Sequence, residues 1–344
     1  MARRKKNSTV MIVSVIAVVL IAGFFLYKSG WIGGKSQGKI TVYSIFQEEE
    51  ARKILDQFKA ETGIDYDILR LPSGEAVSRV QNEMNKPQAD FLMGGPADSH
   101  EVLKKAGALE AYISPNAKDI PDNMKDKDGF WTGFYLNPVA IGINEQRWKE
   151  KYGSDPYPQS FKDLLDPKFK GEIGMSDPAT SGTAYTAVAS LAQVWGKNEM
   201  LTYMKQLLPN LKERPKSGIE PIQKAAKGEY TIGITFLGDQ LKIKNQGNPI
   251  VSIVPEAAGY EVGGLSIVKG GPNTEAARKL MDFMLTEKPA LIYTQSAYAV
   301  SVKPSVPVPP GGIDIKTTKY NQSYSLWTAA EQRKELQDAL KDLK

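Results

Sequence analysis

The sequence predicts an α/β fold in two successive regions, and three observations carry that expectation. From Lys39 onward, short β-branched and aromatic runs alternate with amphipathic stretches, the pattern of strands each followed by a helix on a mostly parallel sheet. The long extended segment Phe130–Asn144 (FWTGFYLNPVAIGIN) then leads into a second region with the same alternation. At 344 residues and 41% hydrophobic side chains the chain is long enough for two cores.

In chain order, residues 1–9 form a basic tail containing Arg3, Arg4, Lys5 and Lys6. Val10–Tyr27 follows with 18 uncharged residues, about 27 Å of helix at roughly 1.5 Å per residue, enough to cross a bilayer. The segment reads as an uncleaved membrane anchor in preference to a cleaved signal, because no small-x-small cleavage site follows it. The basic tail orients it with everything beyond Lys28 outside the cell, and residues 28–38 form a flexible linker.

The body opens with a strand at Lys39–Phe46 and a helix bearing Ala51, Ile54, Leu55 and Phe58, stopped by Gly63. Strands at Ile64–Leu71 and Ala89–Met93 alternate with helices at Glu75–Lys86 and Ser99–Ala106. In the second region Phe161–Leu165, Ala184–Trp195 and Glu199–Leu208 read as helices, and Tyr230–Phe236 and Ile250–Val254 as strands. Thr274–Leu285 is a helix with the apolar stripe Ala277, Leu280, Met281 and Met284. The four-proline stretch Lys303–Gly312 is a connector, and a charged amphipathic helix on the surface ends the chain.

Composition excludes much chemistry. There is no cysteine and only one histidine, His100, which leaves no lipoprotein attachment or thiolate nucleophile and gives a multi-histidine metal site or Ser–His relay almost nothing to draw on. The net charge is +5, but residues 1–38 hold six basic residues and no acid, so the remaining 306 residues carry 38 basic and 39 acidic side chains. A near-neutral body without a basic, aromatic-interleaved stripe gives no nucleic-acid surface. No cofactor is called for.

Several ordered motifs resemble one family. The runs VYSIFQEEEARKILDQFKAETGI (42–64), PSGEAVSRVQNEMNKPQADFLMGG (72–95), FWTGFYLNPVAIGIN (130–144), DPKFKGEIGMSDPATSGTAY (166–185), KSGIEPIQKAAKGEYTIGITFLGDQL (216–241) and AYAVSVKP (297–304) are together similar to extracellular solute-binding proteins of ABC importers. The likeness is to the branch of ferric-ion, 2-aminoethylphosphonate and sugar-phosphate binders. It implies a type 2 periplasmic-binding fold, two lobes joined by hinge crossovers around a ligand cleft. The first lobe would take 39–136 and 256–344, and the second 137–255. The implied function is capture of a small anionic solute, without catalysis, by a monomer that delivers it to a permease and its ATPase.

Ligands in such sheets bind beyond the carboxyl ends of the strands, which directs attention to a few loops. Ser181-Gly182-Thr183 combines hydroxyls, a glycine and a helix start, an anion site or plain helix capping. Ser73 and Gly74 offer the same composition from the first region, with capping an equal reading. Gly95 allows close backbone approach, Ser44 and Gln47 follow the first strand, and Tyr135 and Asn137 lie in the crossover. Asp239 would receive an ammonium or hydroxyl of the ligand.

Ferric iron is the rival ligand. Iron-binding relatives place adjacent tyrosines near the strand end after a G-E-x-x-I-G run. This chain has Gly228-Glu229-Tyr230-Thr231-Ile232-Gly233 but continues Ile234-Thr235-Phe236-Leu237-Gly238-Asp239, which demotes iron and leaves Asp239 with Glu48 as the cation-binding candidates. His100 stands at a helix start as a solvent-facing residue. An enzyme acting on phosphate esters and a sensory ectodomain are lesser alternatives.

Overall fold

The computed structural model describes residues 38–313, 324–341 and 343. The expected anchor at Val10–Tyr27 lies outside the described residues, among which no helix is long and apolar enough to cross a membrane.

The first three strand–helix units are β1 (Lys39–Ser44) with α1 (Glu48–Thr62), β2 (Asp65–Arg70) with α2 (Ser73–Asn82), and β3 (Phe91–Pro96) with α3 (Ala97–Lys105). Gly63 ends α1 in the left-handed conformation, φ 70°, its N–H donating to Lys59 O, a role that disfavours any side chain. A short β4 (Leu109–Glu110) precedes β5 (Thr132–Asn144), which is buried along all 13 residues. Then come α4 (Glu145–Tyr152), β6 (Ile173–Met175), α5 (Gly182–Trp195), α6 (Lys197–Leu207), β7 (Leu211–Glu213), α7 (Glu220–Ala226), β8 (Ile232–Phe236), α8 (Leu237–Asn245) and β9 (Ile250–Ile253). The chain returns through β10 (Tyr260–Val268), α9 (Thr274–Met284), α10 (Glu287–Ala297) and β11 (Val300–Ser301), and α11 (Leu326–Lys341) follows.

Two lobes emerge from the way β5 is shared. Its first half pairs with β10 and β11, its second half with β8 and β9. The strand leaves one sheet and enters the other near Pro138–Val139, and the Gly259 carbonyl accepts from Val139 N at 2.9 Å, so both crossings lie side by side. The first lobe holds the core of Ile54, Phe58, Phe91, Trp131 and Leu280, and the second that of Ile141, Trp148, Tyr185, Val188 and Leu207.

Three sequence expectations change. The sheet is mixed, not mostly parallel: β1–β2, β1–β3, β6–β7 and β6–β8 are parallel, but β5 and β10 run antiparallel to their neighbours because each must carry the chain between lobes. Phe161–Leu165 is only a 3-10 turn, Lys162–Leu165, since Pro167 drives Asp166 out of helical conformation. The C-terminal helix, expected on the surface, packs between α3 and α5. Leu280 is fully buried, and Leu280→Ala should destabilise the protein by about 3 kcal/mol. Urea unfolding would check it, and a loss under about 1 kcal/mol would contradict this packing.

Candidate functional site

The cleft between the lobes is built from helix beginnings. Pro72, Pro96, Ser181 and Phe236 all line it, and each is the residue immediately before a helix: α2, α3, α5 and α8. Two of these helices belong to each lobe. The first amides of a helix have no intrahelical acceptor and carry its positive dipole end, which favours an anion; the Gly74 amide of α2 and the Gly238 amide of α8 already have acceptors, in Thr180 O and Asn137 Oδ1, and α2, α3 and α8 each carry an acid in the first turn. At α5 the first turn contains no acid, and the Ser181 hydroxyl accepts from Ala184 N at 3.3 Å, leaving the Gly182 and Thr183 amides without an intrahelical acceptor.

Seven of the expected residues line this space with backbone or side chain: Gln47, Ser73, Gly95, Tyr135, Ser181, Gly182 and Thr183. Asn137 lines it too, but its Oδ1 accepts from Gly238 N at 2.9 Å and so anchors the start of α8 to the crossover. Asp239 completes the wall. Gly182 lies against the opposite lobe, where an added Cβ would fall 2.4 Å from Ser73 Oγ and 2.7 Å from Pro96 Cδ.

Four expectations are corrected. Ser44 is fully buried behind the cleft and spends its hydroxyl on Phe46 O at 2.9 Å. Gly74 is outside the cavity; its N–H donates to Thr180 O of the other lobe at 2.9 Å, making it a lobe-to-lobe contact. Glu48 points away and pairs with Arg52, 2.7 Å, on the outer face of α1. His100 is fully buried, its Nδ1 2.7 Å from Ser266 Oγ and its Nε2 3.1 Å from Gly94 O. Burial pushes its pKa down to about 4, so it supports the Gly94–Gly95 turn as a neutral ring.

Four charged residues of the cleft were missed: Glu50, Arg70, Lys242 and Glu261. Arg70 ends β2; its Nη2 donates to Ser217 Oγ across the cleft at 3.2 Å, while its buried Nε has no partner. Among the described residues no carboxylate forms an ion pair with it. Glu50 is fully buried and pairs with Lys242 of the other lobe through Oε1, leaving Oε2 unpartnered. Burial drives the Glu261 carboxyl well above its ordinary range, opposed by a hydrogen bond from Tyr135. Burial, then the neighbouring Glu50, raises Asp239 to about 7.

The Asp239 shift has a definite sign. A carboxyl whose folded pKa exceeds its unfolded value, 3.8, favours the fold when protonated, so stability falls as pH rises from about 4 to about 7 and stays lower above that. Asp239→Asn should raise the melting temperature at pH 8 by about 2–4 °C and leave it unchanged at pH 4. Thermal melts at the two values test this; an equal shift at both would contradict it.

A two-lobed cleft with paired crossovers is the architecture of a periplasmic-binding type of protein. A bacterial extracellular solute-binding protein family matches residues 86–310, and the chain belongs to that family. An uncharacterized protein of Haemophilus influenzae is 32% identical over 335 residues, 94% of each chain. The solved periplasmic binding protein AfuA from Actinobacillus pleuropneumoniae, with exogenous fructose 6-phosphate bound, is 34% identical with a TM-score of 0.85, covering 89% of this chain and 98% of that one. Iron uptake protein A1 of Synechocystis is 23% identical over 286 residues, 79% of this chain and 78% of that protein. Homologues thus include sugar-phosphate-, 2-aminoethylphosphonate- and ferric-ion-binding periplasmic proteins, and the chain is a solute-binding protein of the ABC transport type.

Proposed function

We propose that the cleft captures a small solute with a phosphate or phosphonate group at one end and hydroxyl or ammonium donors at the other. The observation that carries this reading is the start of α5, whose Gly182 and Thr183 amides have no intrahelical acceptor, in one cleft with Arg70, whose Nε lacks an acceptor. The unpartnered Glu50 Oε2 calls for a donor from the ligand, and Asp239 and Glu261 widen the same acceptor end. The resemblance to a fructose 6-phosphate-bound neighbour supports a sugar phosphate. In this reading the protein binds without turnover, Val10–Tyr27 anchors it outside the membrane, and a permease with its ATPase receives the solute.

Ferric iron is disfavoured on chemistry: it needs several convergent anionic oxygens, and among the described residues no three His, Cys, Asp or Glu side chains are grouped to hold a metal. Calorimetry with fructose 6-phosphate, 2-aminoethylphosphonate and ferric citrate tests the proposal. Binding of one of the two phosphorus compounds is expected. Binding of iron alone would replace this reading with the rival one, and conversion of a phosphate ester to free phosphate would show an enzyme. Retention of residues 1–38 in protein recovered from membranes is expected for the anchor; a mature chain starting near residue 28 would contradict it.

A further inference from the structure

The C-terminal helix joins parts of the molecule that a hinge motion must separate. α11 packs on α3 of the first lobe and on α5 and α6 of the second. Its ties to the second lobe are numerous. Gln193 Nε2 donates to Ser325 O at 2.9 Å and its Oε1 accepts from Ser325 N at 2.8 Å. Gln337 Nε2 donates to Pro178 O at 2.8 Å, the Tyr185 hydroxyl donates to Ala329 O, and Lys197 pairs with Glu335. Its polar ties to the first lobe centre on one residue. Arg333 donates from Nε to Asp98 Oδ2 at 2.9 Å and from Nη2 to Ser99 Oγ at 3.0 Å. Lys105 and Glu331 add an exposed pair at 3.8 Å. Arg333 and Asp98 are both buried, and the guanidinium stacks 4.1 Å above the Tyr185 ring of the second lobe.

We infer that α11 is a third tether, which travels with the second lobe and docks on α3 through the Arg333–Asp98 pair when the lobes close. The lobes are in contact here, through Gly74 N to Thr180 O and Glu50 to Lys242. Rotating them apart carries α3 away from α5, and a helix packed on both must release one. It keeps the side with more hydrogen bonds. An ion pair suits the releasing side: water solvates both charges on opening, and their attraction roughly offsets that hydration on closing. The same seam also holds apolar contacts, Leu326 in the first-lobe core and the Trp327 ring 6.3 Å from that of Trp131, which have no such compensation and favour the docked form. The ion pair therefore brings opening and closing nearer to balance from a position outside the cleft, since neither Arg333 nor Asp98 lines it.

This inference rests on the reading of the cleft as one that opens, and its test separates the two. Arg333→Met leaves Asp98 uncompensated in the closed form and should lower affinity for fructose 6-phosphate at least tenfold, with a larger radius of gyration in solute-free scattering. Adding Asp98→Leu removes both charges and should restore or exceed the parent affinity. Crosslinking gives a second route with little effect on folding. A short thiol-reactive bridge between Lys105→Cys and Glu331→Cys should hold the solute-free protein compact, whereas a bridge between Lys197→Cys and Glu335→Cys should leave opening intact; the parent chain contains no competing cysteine. Parent-like affinity and scattering for Arg333→Met, or unimpeded opening with the 105–331 bridge, would overturn the tether. Failure of fructose 6-phosphate to bind any form would instead count against the proposed solute, while scattering still reads the tether.

Discussion

Replacing Gly182 by alanine is expected to lower affinity for fructose 6-phosphate at least a hundredfold while leaving both lobes folded. Gly182 opens α5, where alanine is a better helix former than glycine, so its own lobe has no reason to object. The obstruction is across the cleft: the new Cβ would sit 2.4 Å from Ser73 Oγ and 2.7 and 2.9 Å from Pro96 Cδ and Cγ. Ser73 can rotate away, but the proline ring at the end of β3 cannot. The methyl group therefore acts as a wedge, and the lobes stop short of the spacing at which both sets of helix ends reach one anion. Calorimetry and scattering with solute present check this together. Parent-like affinity with full compaction would show that closure does not bring these surfaces together.

Arg70→Gln carries the other large expected effect. Arg70 is half-buried with its Nε buried, and truncating a cation that a bound anion would desolvate costs about 2–5 kcal/mol, which converts to a loss of roughly 30- to 5000-fold. Among the described residues Arg70 forms no ion pair with a carboxylate and only one hydrogen bond, to Ser217, so the melting temperature of the variant should hold or rise. This combination, weak binding with intact stability, distinguishes a ligand-holding arginine from a structural one. Affinity within threefold of the parent would remove Arg70 from the site.

Much of the fold was legible because local patterns and tertiary demands agree. The apolar stripe of α9 and the strand–helix alternation before Gly107 need no long-range information. The mixed sheet was not legible: which neighbour a strand takes depends on β5 and β10 crossing between lobes, and nothing in their residues encodes direction. The site was read partially for a related reason. Helix starts rich in Ser, Thr and Gly are visible in sequence, which makes Ser73, Ser181, Gly182 and Thr183 candidates, and all four line the cleft. Charged residues look alike until placed. Glu48 and Glu50 differ by about 200° around α1, which sends one outward to Arg52 and the other into the cleft. A signal existed, since Glu50 shares the buried stripe of Ala51, Ile54, Leu55 and Phe58. Arg70 likewise ends a strand, where ligands of such sheets bind, and Lys242 follows Asp239 by three residues on the same helix face. Ser44 failed for the opposite reason, because its strand-end position faces the interior and its hydroxyl satisfies the adjoining backbone.

The most direct measurement is a crystal structure of the protein with fructose 6-phosphate. Phosphate oxygens within hydrogen-bonding distance of the Gly182 and Thr183 amides and of Arg70, with the sugar hydroxyls towards Glu50 and Asp239, are the predicted result. A phosphate seated elsewhere, or the ester reversed with its charge against the carboxylates, would contradict the account.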